Sequence, residues 1–510
     1  MKGQLYGCPF LFSGCMKQAS TLVIFLVLSL SSISQKVYDF NALCQQAYYE
    51  ITRLKIEHGQ ELIQKAQLQN PENLIPVVLE SYIDFLVLFL NENPADYKIR
   101  YPRFSERINA LEEGPTNSPY YRFALSTVRV HKAASAIKFG KMWEAGWDIR
   151  RAWVLLKDNK KTFPRFIPDD LMYGTLQTMI GTIPKGYKWL ASVLGMRGSV
   201  TEGLKTVQVF VNSSDPSAKI LANEAHFIYP YLLFYMDNKK DEALAFIQQK
   251  KLDLVNNHLH GWMAANLSLN NKQSPFTQQI VQNRNHSSEY LDIPIWDFEM
   301  GFVKMYQLKP EEAIPYFERF LQKFKGNFYV KDVYDKIRLC YYLQGNTTAA
   351  EKARQLVLSK GNTDSDADKK AMKDAKANYW PNLLLLRARL LSDGGYHREA
   401  LALLHGKAET DFDKEEDKLE YVYRAARIYD DLGRENDAIN AYLAAIRLGE
   451  FRKEYYAARA AVQLAQIYEA KGQKSLAIQY YQRCLDMGDH EYKNSLDQRA
   501  KSGILRCKGE

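Results

Sequence analysis

The strongest constraint on this chain is a recurring unit of two helical segments punctuated by one glycine. Residues 421–432 have helical spacing, with small residues at Ala425 and Ala426, and stop at Gly433. Glycine suits that position because it adopts the left-handed cap conformation without a Cβ penalty. In the segment that follows, Ala438, Tyr442 and Ala445 fall on one helix face. The next copy has Leu464, Ala465 and Tyr468 before Gly472, then Ala477, Tyr481 and Cys484, so Cys484 stands where Ala445 stood. Upstream, Ala388 and Leu391 precede Gly395 and are followed by Ala400 and Leu404; Tyr334, Ile337 and Tyr341 precede Gly345 and are followed by Ala350. Another copy joins Gly301 to Ala313, Phe317 and Phe320, a weaker one centres on Ala243, and an N-terminal one contains Ala133, Ala136, Gly140, Ala145 and Ala152. A single helix pair cannot shield its apolar face, so such units must stack.

These residues resemble the tetratricopeptide repeat (TPR) pattern, in which small side chains sit where two antiparallel helices cross. The resemblance implies an all-α, right-handed superhelical solenoid of antiparallel helix pairs, with a less regular helical N-terminal part. The anchors would be Ala145, Ala243, Ala313, Ala350, Ala400, Ala438 and Ala477; the last three are 38 and 39 residues apart, against a usual period of about 34. A length of 510 residues fits an array better than one core. No segment shows sustained strand alternation. Val211–Pro216 and the polar stretch from Asn270 to Ser288 read as loops, and Gly361–Lys376 as a loop or a charged helix. Leu74–Leu90 is apolar but carries Glu80 and Asp84, which suits a buried helix rather than a membrane span.

Three regions are expected: an export segment over 1–34, an N-terminal helical region over 36–225 with one degenerate repeat, and a repeat array over 226–510. The middle region contains a glycine-rich insert, with Gly174, Gly181, Gly186, Trp189, Gly195, Gly198 and Gly203. Close approach of helix backbones, or kinked short helices, would explain so many glycines. Residues 138–204 resemble the helical insert of the tetratricopeptide repeat protein 39 family and its fungal inclusion-body-clearance relatives, which implies no chemistry; a lid or docking surface, or an irregular helical connector that plugs the first repeat, are the readings of this stretch.

At the N-terminus, Lys17 precedes the apolar run Thr21–Leu30, and Ser32-Ile33-Ser34 precedes Gln35. A charged region, an apolar core and small residues make a secretory signal, with Met16 as an alternative start. Export to the periplasm or attachment to the cell envelope is expected; anchoring by an uncleaved segment over 21–33, or lipidation at Cys15, are the alternatives. The remaining cysteines, Cys44, Cys340, Cys484 and Cys507, have no zinc spacing. Cys484 reads as a small core residue rather than half of a bridge to Cys507.

Composition argues against nucleic acid as a partner. The net charge of +9, from 68 basic and 59 acidic residues, is spread without a dense basic stripe. The glycines at 195, 198 and 203 fit neither a dinucleotide nor a phosphate loop, and His258 and His260 lack a third ligand. No catalytic residue, cofactor or metal is therefore expected. The expected function is binding of a protein or peptide, with envelope membrane association as a further option. By the TPR resemblance the first helix of each pair lines the concave face, which nominates Phe298, Phe302, Arg389, Tyr423, Arg427, Arg459 and Gln466, beside Leu385, Glu420 and Val462. Repeats that clamp a C-terminal carboxylate use Lys and Asn where this chain has Tyr423, Arg427, Val462 and Gln466, so that clamp is not expected. A rival expectation is an envelope enzyme or carbohydrate-binding protein with a site near Trp189 or Trp262.

Overall fold

The computed structural model describes residues 35–182 and 195–509. The expected export segment lies outside the described residues, as do Gly186 and Trp189 of the insert. Among the described residues there are twenty-five α-helices and no strand; Val37 and Asn73 form one isolated parallel bridge.

The N-terminal part comprises α1 (Ala42–Ile51), α2 (Ile56–Gln69), α3 (Ile75–Asn91), α4 (Pro94–Glu112), α5 (Pro119–Lys138), α6 (Met142–Thr162), α7 (Pro168–Gly181) and α8 (Val200–Val211). A short α9 (Pro216–Ile220) leads to α10 (Ala222–Tyr231), which runs into a π-helical turn over Leu232–Met236, and then to α11 (Lys240–Gln249). Hairpins follow: α12 (His258–Asn270) with α13 (Ser274–Asn283), α14 (Ile295–Tyr306) with α15 (Pro310–Lys323), and α16 (Val330–Leu343) with α17 (Thr347–Ser359). After a single helix α18 (Asp366–Lys376) come α19 (Leu383–Gly394) with α20 (His397–Leu404), α21 (Glu415–Asp431) with α22 (Glu435–Gly449), α23 (Tyr456–Ala470) with α24 (Lys474–Asp486), and a closing α25 (Lys493–Lys508).

The alanine seam is real. All seven anchor alanines are buried, Ala145 at 2% and the others at 0% exposure. Their small size lets paired helices approach closely: at Gly301 an added Cβ would sit 2.5 Å from the Phe317 ring. Gly140, Gly345, Gly395, Gly433 and Gly472 all end helices at positive φ. The apolar helix α3 is buried as expected, with Asp84 held by Arg100 at 2.5 Å and Arg107 at 2.7 Å. No helix among the described residues is long and apolar enough to cross a membrane. Cys44, Cys340, Cys484 and Cys507 are free thiols, and Cys484 is a core residue.

Gly174, Gly181, Gly198 and Gly203 sit at close backbone approaches, whereas Gly195 has open space around it and a positive φ. A Cβ on Gly203 would lie 2.6 Å from the Gly174 carbonyl oxygen, and one on Gly198 would lie 2.3 Å from the Gly181 nitrogen. The backbones of α7 and α8 therefore approach closely at Gly174 and Gly203, where Thr178 and Val207 also pack.

One expected loop differs, and one open alternative is decided. Asn270–Ser288 contains the helix α13: Thr277, Ile280 and Val281 form a buried face, which the surrounding polar residues hide from a reading by composition. Gly361–Lys376 resolves as the charged helix α18. Its Asp368 accepts from the backbone nitrogens of Tyr329 (2.8 Å) and Asp332 (3.0 Å), so it caps α16.

The array also closes on itself. Helix α19 packs directly on α14, although four helices, α15 to α18, separate them in sequence. Ser274 Oγ donates to the Gly394 carbonyl at 2.6 Å, Gln307 Nε2 donates to the Tyr396 hydroxyl at 3.0 Å, and Lys272 pairs with Asp431. The turn between α12 and α13 is thereby pinned to α19 and α21.

Candidate functional site

Closure of the coil leaves a cavity of about 500 Å³ on its inner side. First helices supply most of its wall. Helix α14 contributes Met305 and Tyr306, α16 contributes Asp335, Lys336 and Arg338, and α19 contributes Arg389 and Asp393. Helix α21 adds Tyr423, Arg424 and Arg427, which share a face because residues three and four apart are neighbours on a helix. Arg459 comes from α23, and Lys240 and Lys272 reach in from the upstream part of the chain.

Most charges here are tied down. Arg338 Nε meets Asp335 at 2.8 Å, and Arg338 Nη1 donates to the Tyr379 carbonyl at 3.0 Å. Arg424 is held by the buried Glu420 at 2.9 Å, and Arg427 lies 3.8 Å from Asp431. Burial pushes the Lys272 ammonium below its ordinary range, with Arg427 adding repulsion and Asp431 opposing it. Lys240 is also lowered, first by burial and then by Arg499, Lys272, Arg459 and Arg427. Burial raises the Tyr423 phenol, so this ring faces the cavity as a neutral hydroxyl.

Four of the residues nominated from sequence meet in this cavity: Arg389, Tyr423, Arg427 and Arg459. The other three do not. Phe298 and Phe302 are core residues, packed on each other at 4.9 Å and on Phe320 and Phe317. Their expected exposure fails because α19 lies across α14 and brings Leu386 and Leu390 into the same cluster. Gln466 is half-buried on α23, two turns beyond Arg459, and does not line the cavity. Leu385, Glu420 and Val462 are buried too, because neighbouring first helices cover all but a narrow strip of each inner face. Reasoning from sequence missed Lys240, Lys272 and Asp393. The two lysines lie far upstream of the regular repeats, and only coil closure brings them in.

The histidine pair is structural. His258 Nε2 lies 2.8 Å from the Asn285 carbonyl and its ring stacks on Tyr290, while His260 Nε2 lies 2.8 Å from the Asn223 carbonyl. Burial lowers His258 to about 4, so it stays neutral near pH 7. No group of three or more potential metal ligands occurs among the described residues. Trp262 packs against Phe227 and Tyr231.

The family assignment rests on the last two full hairpins. A tetratricopeptide repeat family model matches residues 419–448 and 458–487, which are α21 with α22 and α23 with α24. The chain carries tetratricopeptide repeats there. Three solved TPR-containing structures are similar to it. The P58(IPK) TPR domain is 14% identical over 85% of this chain and 97% of its own, with a TM-score of 0.21. A chain of the APC/C hetero-tetramer Cut9–Hcn1 is 12% identical over 94% of this chain and 99% of its own, with a TM-score of 0.27. Yeast Tom70 is 13% identical over 91% and 96%, with a TM-score of 0.24. These superpositions are too loose to transfer a groove or a partner. No curated protein matches the chain. The TPR repeats make this a protein-interaction fold, and the cavity is a part of its inner face where polar and aromatic side chains converge.

Proposed function

We propose that this TPR protein is an exported, non-catalytic scaffold that holds a protein or peptide partner along the inner face of its superhelix. One observation carries the reading: Arg389, Tyr423, Arg427 and Arg459, from three successive first helices, converge on one cavity. Arg and Tyr are the residue types that dominate binding hot spots, since each combines a large contact area with directed hydrogen bonds. The pairing of Asp335 and Asp374 with cations supports a binding role over acid–base chemistry. Export rests on the signal-like pattern of residues 1–34.

The test is affinity capture from envelope extract with wild type and with Tyr423→Ala/Arg427→Ala. Loss of a captured species by about tenfold or more in the double variant, with a thermal melt still cooperative, is the expected result. Equal capture by both proteins removes the groove from consideration. N-terminal sequencing of the mature chain checks export separately, and an intact residue 1 defeats cleavage.

A further inference from the structure

We propose that the inner cavity binds a compact, multivalent anion of the polyphosphate class, held between the upstream and C-terminal arms of the closed coil. The lining holds nine lysines and arginines against three aspartates, so its surplus charge is positive. Six of the nine are in ion pairs: Lys272 and Arg427 with Asp431, Lys336 and Arg338 with Asp335, Lys370 with Asp374, and Arg424 with Glu420. Lys240, Arg389 and Arg459 have no ion pair among the described residues, and neither does Arg499 on α25 just beyond the lining. Asp393 is the one lining carboxylate there without such a pair.

These four cations come from α11, α19, α23 and α25, so the fold itself assembles like charges from distant parts of the chain; at Arg389 burial and the Arg424 charge are outweighed by the Glu420 and Asp393 carboxylates, which raise the guanidinium above its ordinary range. Mutual repulsion of the cations is visible at Lys240, which is depressed by burial and by Arg499, Lys272, Arg459 and Arg427. It shows again at Arg499, depressed by burial and by Arg459. Gathering part-buried cations is costly unless a counter-charge joins them. A single carboxylate is too small a charge to serve several cations converging from different sides. A cluster of phosphates offers many acceptor oxygens, and the planar guanidinium fork fits phosphate through two parallel hydrogen bonds. The volume of about 500 Å³ lies in the usual small-ligand range of about 300–1,000 Å³. This proposal stands on the cavity and does not depend on a protein partner.

The experiment titrates the purified full chain with tripolyphosphate, by calorimetry and by thermal melting at constant ionic strength. Saturable binding with a rise in melting temperature is expected. Arg389→Gln/Arg459→Gln should weaken binding by about tenfold or more. Arg499→Gln, at a residue that makes no side-chain hydrogen bond or ion pair among the described residues, should weaken it severalfold and decides the matter if the double variant melts early. A melting shift that sodium chloride reproduces at equal ionic strength, or affinity unchanged in the variants, overturns the site. Citrate binding as tightly as tripolyphosphate overturns the assignment to phosphate. Since no partner is present, the titration is blind to failure of the partner proposal, which the capture experiment alone reads.

Discussion

Glu299 shows how a single buried residue can set the response of the molecule to pH. It is fully buried in α14, where Oε1 accepts from Asn266 Nδ2 at 3.0 Å while Oε2 has no hydrogen-bond partner among the described residues. Burial pushes its carboxyl from 4.5 up to about 7, and the Asn266 bond opposes this only in part. Between those values the unfolded chain is ionised while the folded chain keeps its proton, so stability falls as pH rises and levels off above about 7. Glu299→Gln removes that slope. Denaturant melts at pH 5 and pH 8 should show wild type losing roughly 1–3 kcal/mol more than the variant. Parallel pH profiles for the two proteins would contradict this. Nothing in the sequence marks Glu299, since an acidic residue in an amphipathic helix is ordinarily solvated.

At the scale of elements, the helix pairs were legible because their requirements are local. Alanine spacing, aromatic neighbours and terminal glycines are all read within one hairpin, and every expected anchor is buried. The glycine-rich insert was legible in kind: the residues called for close backbones, and Gly203 on α8 meets the Gly174 carbonyl of α7. Gly203→Ala should destabilise this pair by about 1–3 kcal/mol, with faster amide exchange confined to α7 and α8. An unchanged melt would show that the helices part without cost. Helix α13 was missed because its buried face is short and lies among asparagines and glutamines. Phe298 and Phe302 were misplaced for a different reason. Their position on a first helix is right, but another first helix covers them.

For the whole molecule, the decisive contacts join parts of the chain that are far apart in sequence. Gly395 has φ +92°, and a Cβ there would sit 2.0 Å from the Lys272 carbonyl oxygen. Gly395→Ala should therefore push the α12–α13 turn away from α19, raise the radius of gyration in small-angle scattering and cost about 2 kcal/mol or more. It should also weaken tripolyphosphate binding, because Lys240 and Lys272 would withdraw from Arg427 and Arg459. Scattering and melting identical to wild type would mean that the closure contacts are dispensable.

The sequence by itself determined that this chain is a stack of antiparallel helix pairs, and it marked which small residues form the seams and which glycines end the helices. Those features depend on neighbours a few residues away, so one repeat carries its own instructions. Only the tertiary structure decided which inner-face residues meet open space. Curvature and closure of the coil arise from the sum of many interfaces, and a burial pattern within one hairpin holds no record of a lysine arriving from elsewhere in the array.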